Sequence, residues 1–310
     1  MSSTPLILVI ADRSLPQPSP ALQRAALLAR HGGVSLQVQL FDYHAAVTAL
    51  GRVSAALEHA ALEHYRHQGE QWLQAAVASL NQAPLQIGTQ LVWGEPLHRQ
   101  ILDQIEKLQP LLVIKDVHYE PLLQRLLPDP LDWKLLRLCP VPLMLVNHAA
   151  SPELRRVIAA VEPVAPEHRA GQLNQRVVQA ARQLSEQSGA ELHLAYAYEG
   201  LRGDQLGAAG LARETVAGLY AELREDAVAR FQAFAREQGI AEEHCHLLQG
   251  APAEALAGLA SNTQTDLLVI GTARRESLEH SLFGSTAERI LTAAGCDVLA
   301  VQPEPAAGQV

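Results

Sequence analysis

The chain has 310 residues, of which 48% are hydrophobic and 18% charged, a composition typical of folded globular proteins and a length that allows two domains. Its formal net charge of −9 is unevenly spread, because residues 1–150 hold 11 basic and 12 acidic side chains and residues 151–310 hold 13 and 21. Neither half has the surplus of Lys and Arg that binds phosphate backbones, so direct nucleic-acid binding is disfavoured.

The cysteines and the N-terminal residues bear on the cellular compartment. Cys139, Cys245 and Cys296 are odd in number and widely spaced, which favours a reducing cytosol over a disulfide framework. The run MSSTPLILVIADRS has no basic segment before its apolar part, so no signal peptide is predicted. No uncharged apolar stretch reaches the ~18 residues of a membrane span. We therefore expect a cytoplasmic protein without membrane insertion.

Short apolar runs alternate with longer helical patterns along the chain, which predicts a parallel sheet with crossover helices. In the first half the predicted strands are residues 6–11, 34–41, 85–93, 111–115 and 141–146. In the second half they are residues 155–161, 190–198, 245–248, 266–271 and 297–302. The expected fold class is α/β, with two tandem Rossmann-like domains, each a five-stranded, mainly parallel sheet with helices on both faces.

Two long helical segments fill matching intervals between these strands. Residues 44–80 form one long or broken helix, and residues 213–238 repeat it in the second half. The second segment has a predicted buried stripe at helical spacing, made of Leu219, Leu223, Ala227, Phe231 and Phe234.

The two halves are related by internal duplication at an offset of 156 residues. The equivalent pairs are Gly33 with Gly189, Gly94 with Gly250, Pro96 with Pro252, and residues 111–114 with 267–270. The boundary falls within residues 148–153, which gives an N-terminal domain of residues 1–150 and a C-terminal domain of residues 151–310.

Several segments resemble the universal stress protein family in its tandem, E-type arrangement. They are LVWGEP and PLDWKLLRLCPVP in the first half, and LLVIGTARRE, FGSTAERIL and CDVLAV in the second. The resemblance implies a cytoplasmic stress-response protein, often dimeric, with an indirect role in resistance to DNA damage and other stresses. Some members of the family bind ATP, but they share no established reaction, so we expect no enzyme.

The nucleotide-binding branch of the family has the pattern G-2x-G-9x-G(S/T). Here Gly271, Gly284 and Ser285 keep that spacing, and Arg274 replaces the second glycine. Glycine lets backbone N–H groups approach a phosphate without a Cβ in the way. The Arg274 side chain either obstructs that approach or brings a guanidinium that pairs with phosphate oxygens.

The end of this motif has a second interpretation. Ser285, Thr286 and Glu288 fit an S-x-x-E capping box, in which the hydroxyl and the carboxylate satisfy the first N–H groups of a helix. The resemblance also implies that Glu162, after the first strand of this domain, holds a nucleotide sugar or a metal. The predicted ATP site therefore consists of Gly271, Arg274, Gly284, Ser285, Thr286 and Glu162, with Mg²⁺, in the C-terminal domain only.

The first domain departs from the pattern. Lys115 and His118 stand at the two glycine positions, and no G(S/T) follows. The next helix is predicted to start at Asp129 and Pro130, with Asp132 in its first turn. These carboxylates occupy the positive end of the helix, where a phosphate would bind. We predict that this domain does not bind ATP.

Three functions stay open at this point. The first is a non-enzymatic binding or regulatory module, the second an ATP-binding switch or slow ATPase, and the third a carrier or sensor of an apolar, lipid-like ligand. The apolar last strands of the two halves are candidate edges, so a homodimer or an intrachain pseudo-dimer is expected. His244 and His246 would share one face of a strand and Cys245 the other, so no metal site is predicted there.

Overall fold

A computed structural model describes residues 5–80, 85–117, 131–147, 151–163, 169–199, 213–272 and 286–303. The chain divides into two compact units, here called unit 1 (Met1–Glu153) and unit 2 (Leu154–Val310). Each unit is a parallel sheet whose strands are connected by helices.

In unit 1 the five strands pair in parallel in the order β3-β2-β1-β4-β5. They are β1 Leu6–Ala11, β2 Ser35–Asp42, β3 Ile87–Trp93, β4 Leu112–Asp116 and β5 Leu143–Val146. The helices are α1 Pro20–Gly32, α2 Ala45–Leu50, α3 Ala55–Ala78, α4 Leu97–Leu108 and α5 Leu131–Leu138.

Unit 2 repeats this topology in the order β10-β9-β6-β7-β8. Its strands are β6 Arg156–Ala160, β7 Glu191–Tyr198, β8 Cys245–Gln249, β9 Leu267–Gly271 and β10 Asp297–Val301. Its helices are α6 Arg169–Ser188, α7 Arg213–Glu237, α8 Pro252–Asn262 and α9 Thr286–Ala293, and a 3₁₀ turn, Glu242–His244, precedes β8.

The predicted α/β fold class, with two Rossmann-like halves, is confirmed, and each of the ten predicted strands lies within two residues of its observed bounds. Strands of a parallel sheet are covered on both faces and therefore read as continuous apolar runs. In β1, for example, Leu8 and Val9 are fully buried. Truncation of such a leucine to alanine costs about 2–5 kcal/mol of stability.

Local signals set the helix ends. The hydroxyl of Ser19 accepts a hydrogen bond from the Leu22 N–H at the start of α1, and Pro20 occupies the first turn. Gly33 closes the same helix at φ 61°, a left-handed conformation that favours glycine. Its duplicate Gly189, after α6, has φ 73°. The duplication therefore extends to backbone geometry.

The strand order positions the functional region. In each unit the chain starts in the middle of the sheet and builds outward in one direction, then crosses over and builds in the other. The order thus reverses between β1 and β4 in unit 1 and between β6 and β9 in unit 2. Ligands of open α/β sheets bind at the carboxyl ends of the strands at such a reversal.

Candidate functional site

A cleft of about 530 Å³ opens at the carboxyl ends of β6, β7 and β9 in unit 2. It lies at the reversal of strand order, and its volume is within the range of about 300–1,000 Å³ that small-molecule sites have. Its apolar lining includes Val161, Leu173, Leu223, Leu256, Ile270 and Ile290, and its polar lining consists of Glu162, Asn174, Tyr196, Tyr198, Glu199 and Arg230. The wall of the cleft therefore combines apolar and polar groups in similar measure.

Asn174 of α6 fixes the backbone where β6 enters the cleft. Its side-chain oxygen accepts from the Glu162 N–H at 3.1 Å, and its NH₂ group donates to the Glu162 carbonyl. The Asn174 side chain is buried, whereas that of Glu162 is exposed. A helix thus holds the main chain at this strand end and leaves the Glu162 carboxylate available at the cleft.

Gly271, the last residue of β9, packs closely against Leu173 of α6. A Cβ at this position would lie 2.7 Å from Leu173 Cδ2 and 2.9 Å from Leu173 Cγ, which is closer than atoms tolerate. The next residue, Thr272, is buried and donates its N–H to the Val301 carbonyl at 2.9 Å. The backbone at Gly271 consequently lines the cleft without a side chain in front of it.

An aromatic and cationic wall lies at the end of β7. The Tyr196 ring centroid is 6.0 Å from that of Phe231 on α7 and 6.2 Å from that of Tyr198. Burial raises the pKa of the Tyr196 phenol above its ordinary value of 10.0, so this hydroxyl is a hydrogen-bond donor at neutral pH, as in an exposed tyrosine. Arg230 also lines the cleft, and its guanidinium pairs with the Asp226 carboxylate one turn earlier on α7.

The predicted buried stripe of α7 is only partly right. Ala227 and Phe231 are buried, but Leu223 is 38% exposed and the prediction of its burial was wrong. Leu223 lines the cleft, so one turn of the apolar stripe faces this opening instead of the sheet. An exposed apolar side chain at a cleft mouth is available for contact with a ligand.

The equivalent position of unit 1 contains a buried ion pair. Lys115 Nζ lies 2.7 Å from Asp132 Oδ1, with side-chain exposures of 5% and 8%, and it also donates to the Asp116 carbonyl at 2.8 Å. Lys115 pairs with Leu145 in the sheet as Gly271 pairs with Val301, which makes the two positions equivalent. A charged side chain therefore fills this strand end in unit 1, whereas the equivalent residue of unit 2 has no side chain.

Carboxylates of unit 1 also occupy its helix N-termini. Asp116 Oδ1 accepts from the Ala21 N–H in the first turn of α1 at 2.9 Å, and Asp132 is in the first turn of α5. In unit 2 the residues at these places are Thr272, at the same offset of 156, and Ala287, the second residue of α9. Ala287 lines the cleft. Unit 1 therefore places the Asp116 and Asp132 carboxylates at helix N-termini, whereas unit 2 has a cleft at the corresponding end of its sheet.

The structure brings some of the predicted site residues together. Gly271 and Glu162 both line the cleft, and Thr286 is the first residue of α9, next to the lining residue Ala287. The remaining three, Arg274, Gly284 and Ser285, lie outside the described residues. Sequence reasoning missed Asn174 and Arg230, because no local motif marks the turn of α6 or α7 that faces the strand ends.

The thiols of the buried cysteines are poor nucleophiles. Burial raises the pKa of Cys139 to about 11 and that of Cys296 to about 12. Burial also raises the pKa of Cys245, with the Glu242 and Glu243 carboxylates acting in the same direction. Within the described ranges, no three His, Cys, Asp or Glu side chains are arranged to hold a metal ion. None of the described helices is long and apolar enough to cross a membrane.

The sequence of the chain is similar to those of universal stress proteins. The model of the universal stress protein family matches residues 169–302, which span most of unit 2. Universal stress protein E of Escherichia coli K12 is 27% identical over 289 residues, covering 92% of this chain and 90% of the relative. The universal stress protein E homolog of Haemophilus influenzae is 26% identical over 243 residues, covering 78% and 77%.

A solved structure extends the similarity to the fold of both halves. A universal stress protein from Archaeoglobus fulgidus superposes with a TM-score of 0.66 at 15% sequence identity, covering 97% of each chain. At this level of identity the match shows the fold and carries no information about ligands.

Proposed function

Because the chain belongs to the universal stress protein family and has its tandem E-type organisation, we propose that it is a stress-response protein that acts by binding a nucleotide in the cleft of unit 2. ATP with Mg²⁺ is the ligand that the family resemblance favours. The observation that carries the proposal is the contrast between Lys115, which fills its strand end in unit 1, and Gly271, which leaves the same place open in unit 2.

The cleft offers suitable groups for each part of such a ligand. A phosphate would approach the backbone at Gly271 and the N-terminus of α9, which begins at Thr286, because free N–H groups and the helix dipole attract anions there. A base would pack against Leu256 and Ile270 on the apolar wall. The exposed carboxylate of Glu162 would hold a sugar hydroxyl or Mg²⁺.

In this proposal the protein works by binding and not by turnover, as a regulatory module of the cytoplasm. Unit 1 keeps the fold, but the ion pair between Lys115 and Asp132 occupies its strand end, so no ligand would bind there. One ligand per chain would then change the stability and surface of unit 2. A conserved chemical reaction is not required for that role.

Isothermal calorimetry with ATP and Mg²⁺ tests the proposal. We expect saturable binding to the wild type, weaker binding by Ser285→Ala, and unchanged binding by Ser261→Ala, an exposed serine of α8 used as the matched control. The Arg274→Gly variant distinguishes the two roles of this arginine, since affinity rises if the side chain obstructs and falls if it pairs with phosphate. Absence of binding by the wild type, Ser285→Ala and Arg274→Gly would overturn the proposal.

Phosphate release separates a binding module from a slow ATPase. We expect the wild type to release phosphate from ATP no faster than the Gly271→Ala variant does. A faster rate that disappears in Gly271→Ala would support catalysis in the cleft instead.

The lining of the cleft favours a second candidate, an apolar ligand. Branched apolar side chains form part of the wall, and one of them, Leu223, is 38% exposed. Native mass spectrometry of the purified protein, followed by solvent extraction, would detect a bound lipid-like molecule. A mass equal to that of the bare chain, together with ATP binding in calorimetry, would exclude this candidate.

A further inference from the structure

Three imidazoles lie together in unit 2, at the opposite end of the strands from the cleft. His193 is near the start of β7, His244 ends the 3₁₀ turn, and His246 is in β8. The His193 ring centroid is 4.5 Å from that of His244 and 5.2 Å from that of His246. His193 Nδ1 and His246 Nε2 are 3.0 Å apart, so one of these nitrogens donates to the other.

Only two charged side chains of the described neighbourhood face this cluster. Glu191 of β7 places Oε2 3.4 Å from His193 Nε2, and Arg156 of β6 donates to the same carboxylate oxygen at 3.2 Å. The carboxylates of the 3₁₀ turn, Glu242 and Glu243, act on Cys245.

Three helices, α6, α7 and α8, pack on β7, and none of their described charged groups acts on His193 or His246. In α6, for example, Arg182 donates to the Gln238 carbonyl. Glu254 is the titratable residue of α8, and it pairs with Arg289 of α9. On the opposite face of the sheet α7 contacts β7 through Phe231 and Tyr196. The protonation of the cluster is therefore governed by its three imidazoles, Glu191 and Arg156.

The environment of the cluster disfavours protonation. Burial lowers the pKa of His193, and the Glu191 carboxylate opposes this effect only in part. Burial also lowers the pKa of His246, with His193, Arg156 and His244 acting in the same direction. At neutral pH His193 and His246 are uncharged and can share a hydrogen bond, whereas two protonated rings with nitrogens 3.0 Å apart would repel each other.

A continuous set of contacts joins the cluster to the wall of the cleft. Besides Glu191, Arg156 donates to the carbonyl of Thr263, the C-cap of α8. The same helix begins at Pro252 and contributes Pro252 and Leu256 to the cleft. β7 makes a second connection, since it carries His193 near its start and the cleft residue Tyr198 at its end.

We propose that His193, His244 and His246 form a proton-binding site that regulates the unit 2 cleft, weakening ligand binding when the pH falls. This inference rests on the proposed function for its ligand. Among the described residues of unit 2, β8 pairs with β7 alone, so repulsion between the imidazoles is relieved most easily by displacement of β8. Because β8 leads directly into α8, that displacement moves Pro252 and Leu256 at the wall of the cleft.

The direction of the pH effect follows from linkage. His193 and His246 bind protons less readily in the folded chain than in the unfolded chain, whose histidines titrate near 6.5. Stability is therefore unaffected by the cluster above that pH and falls as the pH drops below it, because the unfolded chain binds protons first. A ligand that binds the closed cleft should lose affinity over the same pH interval.

The first test measures the melting temperature of the full chain without ligand between pH 7.5 and 5.0. We expect the melting temperature of the wild type to fall below pH 6.5, and His246→Gln and His193→Gln to fall less. His59→Gln, which removes an exposed imidazole from α3, is the matched control and should follow the wild type. A wild type whose pH profile is the same as that of His246→Gln would overturn the proposal.

NMR titration and calorimetry test the proposal independently of the melting temperatures. NMR titration of the imidazoles in the wild type requires no variant, and we expect two resonances with midpoints below 6.5; midpoints at or above 6.5 would overturn the proposal. Calorimetry with ATP and Mg²⁺ at pH 7.5 and 5.5 should show a loss of affinity on the order of tenfold in the wild type, as is typical of coupled sites, and a smaller loss in His246→Gln. An equal loss of affinity in the wild type and His246→Gln would overturn the coupling between the histidine cluster and the cleft. Absence of ATP binding at pH 7.5 would instead count against the proposed nucleotide ligand. The melting and NMR experiments would then still test whether the histidines form a proton-binding site.

Discussion

Lys115 and Asp132 form a buried ion pair, 2.7 Å from Nζ to Oδ1, at the strand end of unit 1 that corresponds to Gly271 in unit 2. The positive charge comes from β4 and the negative charge from the first turn of α5. The two units therefore share a fold but differ at this strand end, which an ion pair closes in unit 1 and which opens into a cleft in unit 2.

Breaking this pair on one side should destabilise unit 1 strongly. Lys115→Met leaves the Asp132 carboxylate buried without its cation, which costs about 3–5 kcal/mol, whereas the double variant Lys115→Met/Asp132→Leu should recover most of that loss. Urea denaturation measures both changes. Lys107→Met, at an exposed lysine of α4, is the control, and an equal effect of Lys115→Met and Lys107→Met would contradict the account.

Adding one methyl group at Gly271 should close the unit 2 cleft to ligand. The Cβ of Gly271→Ala would meet Leu173 at 2.7 Å and push that side chain toward the cleft, at a cost of about 1–3 kcal/mol. We expect a loss of ATP affinity of about tenfold or more, measured by calorimetry.

Gly258→Ala is the matched control for that substitution. Gly258 is exposed on α8, and a Cβ there would meet no atom within 4 Å. Alanine should stabilise the helix by about 1 kcal/mol and leave ATP binding unchanged. Equal ATP affinities of Gly271→Ala and Gly258→Ala would show that the ligand does not approach the end of β9.

Arg24 should protect the chain between the two units from proteolysis. This arginine of α1 is 1% exposed and donates to the carbonyls of Ser151 and Pro152 at 2.6 and 2.7 Å. Arg24→Met loses these charge-assisted bonds, which should cost roughly 2–4 kcal/mol and accelerate thermolysin cleavage between the halves. Arg52→Met, at an exposed arginine, should be cleaved like the wild type; faster cleavage of that control would point to a general loss of stability.

The three thiols should differ in reactivity. Cys139 and Cys296 are 1% and 5% exposed, and burial raises the pKa of their thiols to about 11 and about 12. Ellman's reagent should therefore titrate one thiol in the native chain, that of Cys245, and three in guanidinium chloride. The Cys245→Ser variant should lose the native reaction, and rapid reaction of a second native thiol would show that a buried cysteine is exposed in solution.

The fold was largely predictable because its signals are local. Buried parallel strands such as β1 and β9 are short apolar runs, and each run has a counterpart in the other half. The turn glycines at 33 and 189 mark equivalent helix ends. Because each signal occurs in both halves at the same spacing, a match between the two halves is much less often a coincidence.

The site was less predictable, because its residues meet only after folding. His193 and His246 are 53 residues apart, and His244 lies in a 3₁₀ turn and not in the predicted strand. Periodicity placed Leu223 on the apolar face of α7 but did not reveal that this turn of the helix faces a cleft. The sequence did indicate the loss of glycine at Lys115, although not the pairing of its ammonium with Asp132.

Equilibrium dialysis with radiolabelled ATP and Mg²⁺ tests the central claim most directly, because it counts the ligands bound to each chain. Because the strand end is closed in unit 1 and open in unit 2, we expect one ATP per chain at saturation. This number should be unchanged in Lys115→Met/Asp132→Leu, and binding should be lost in Gly271→Ala at the same ATP concentration. Two ATP molecules per wild-type chain, or none, would contradict the account.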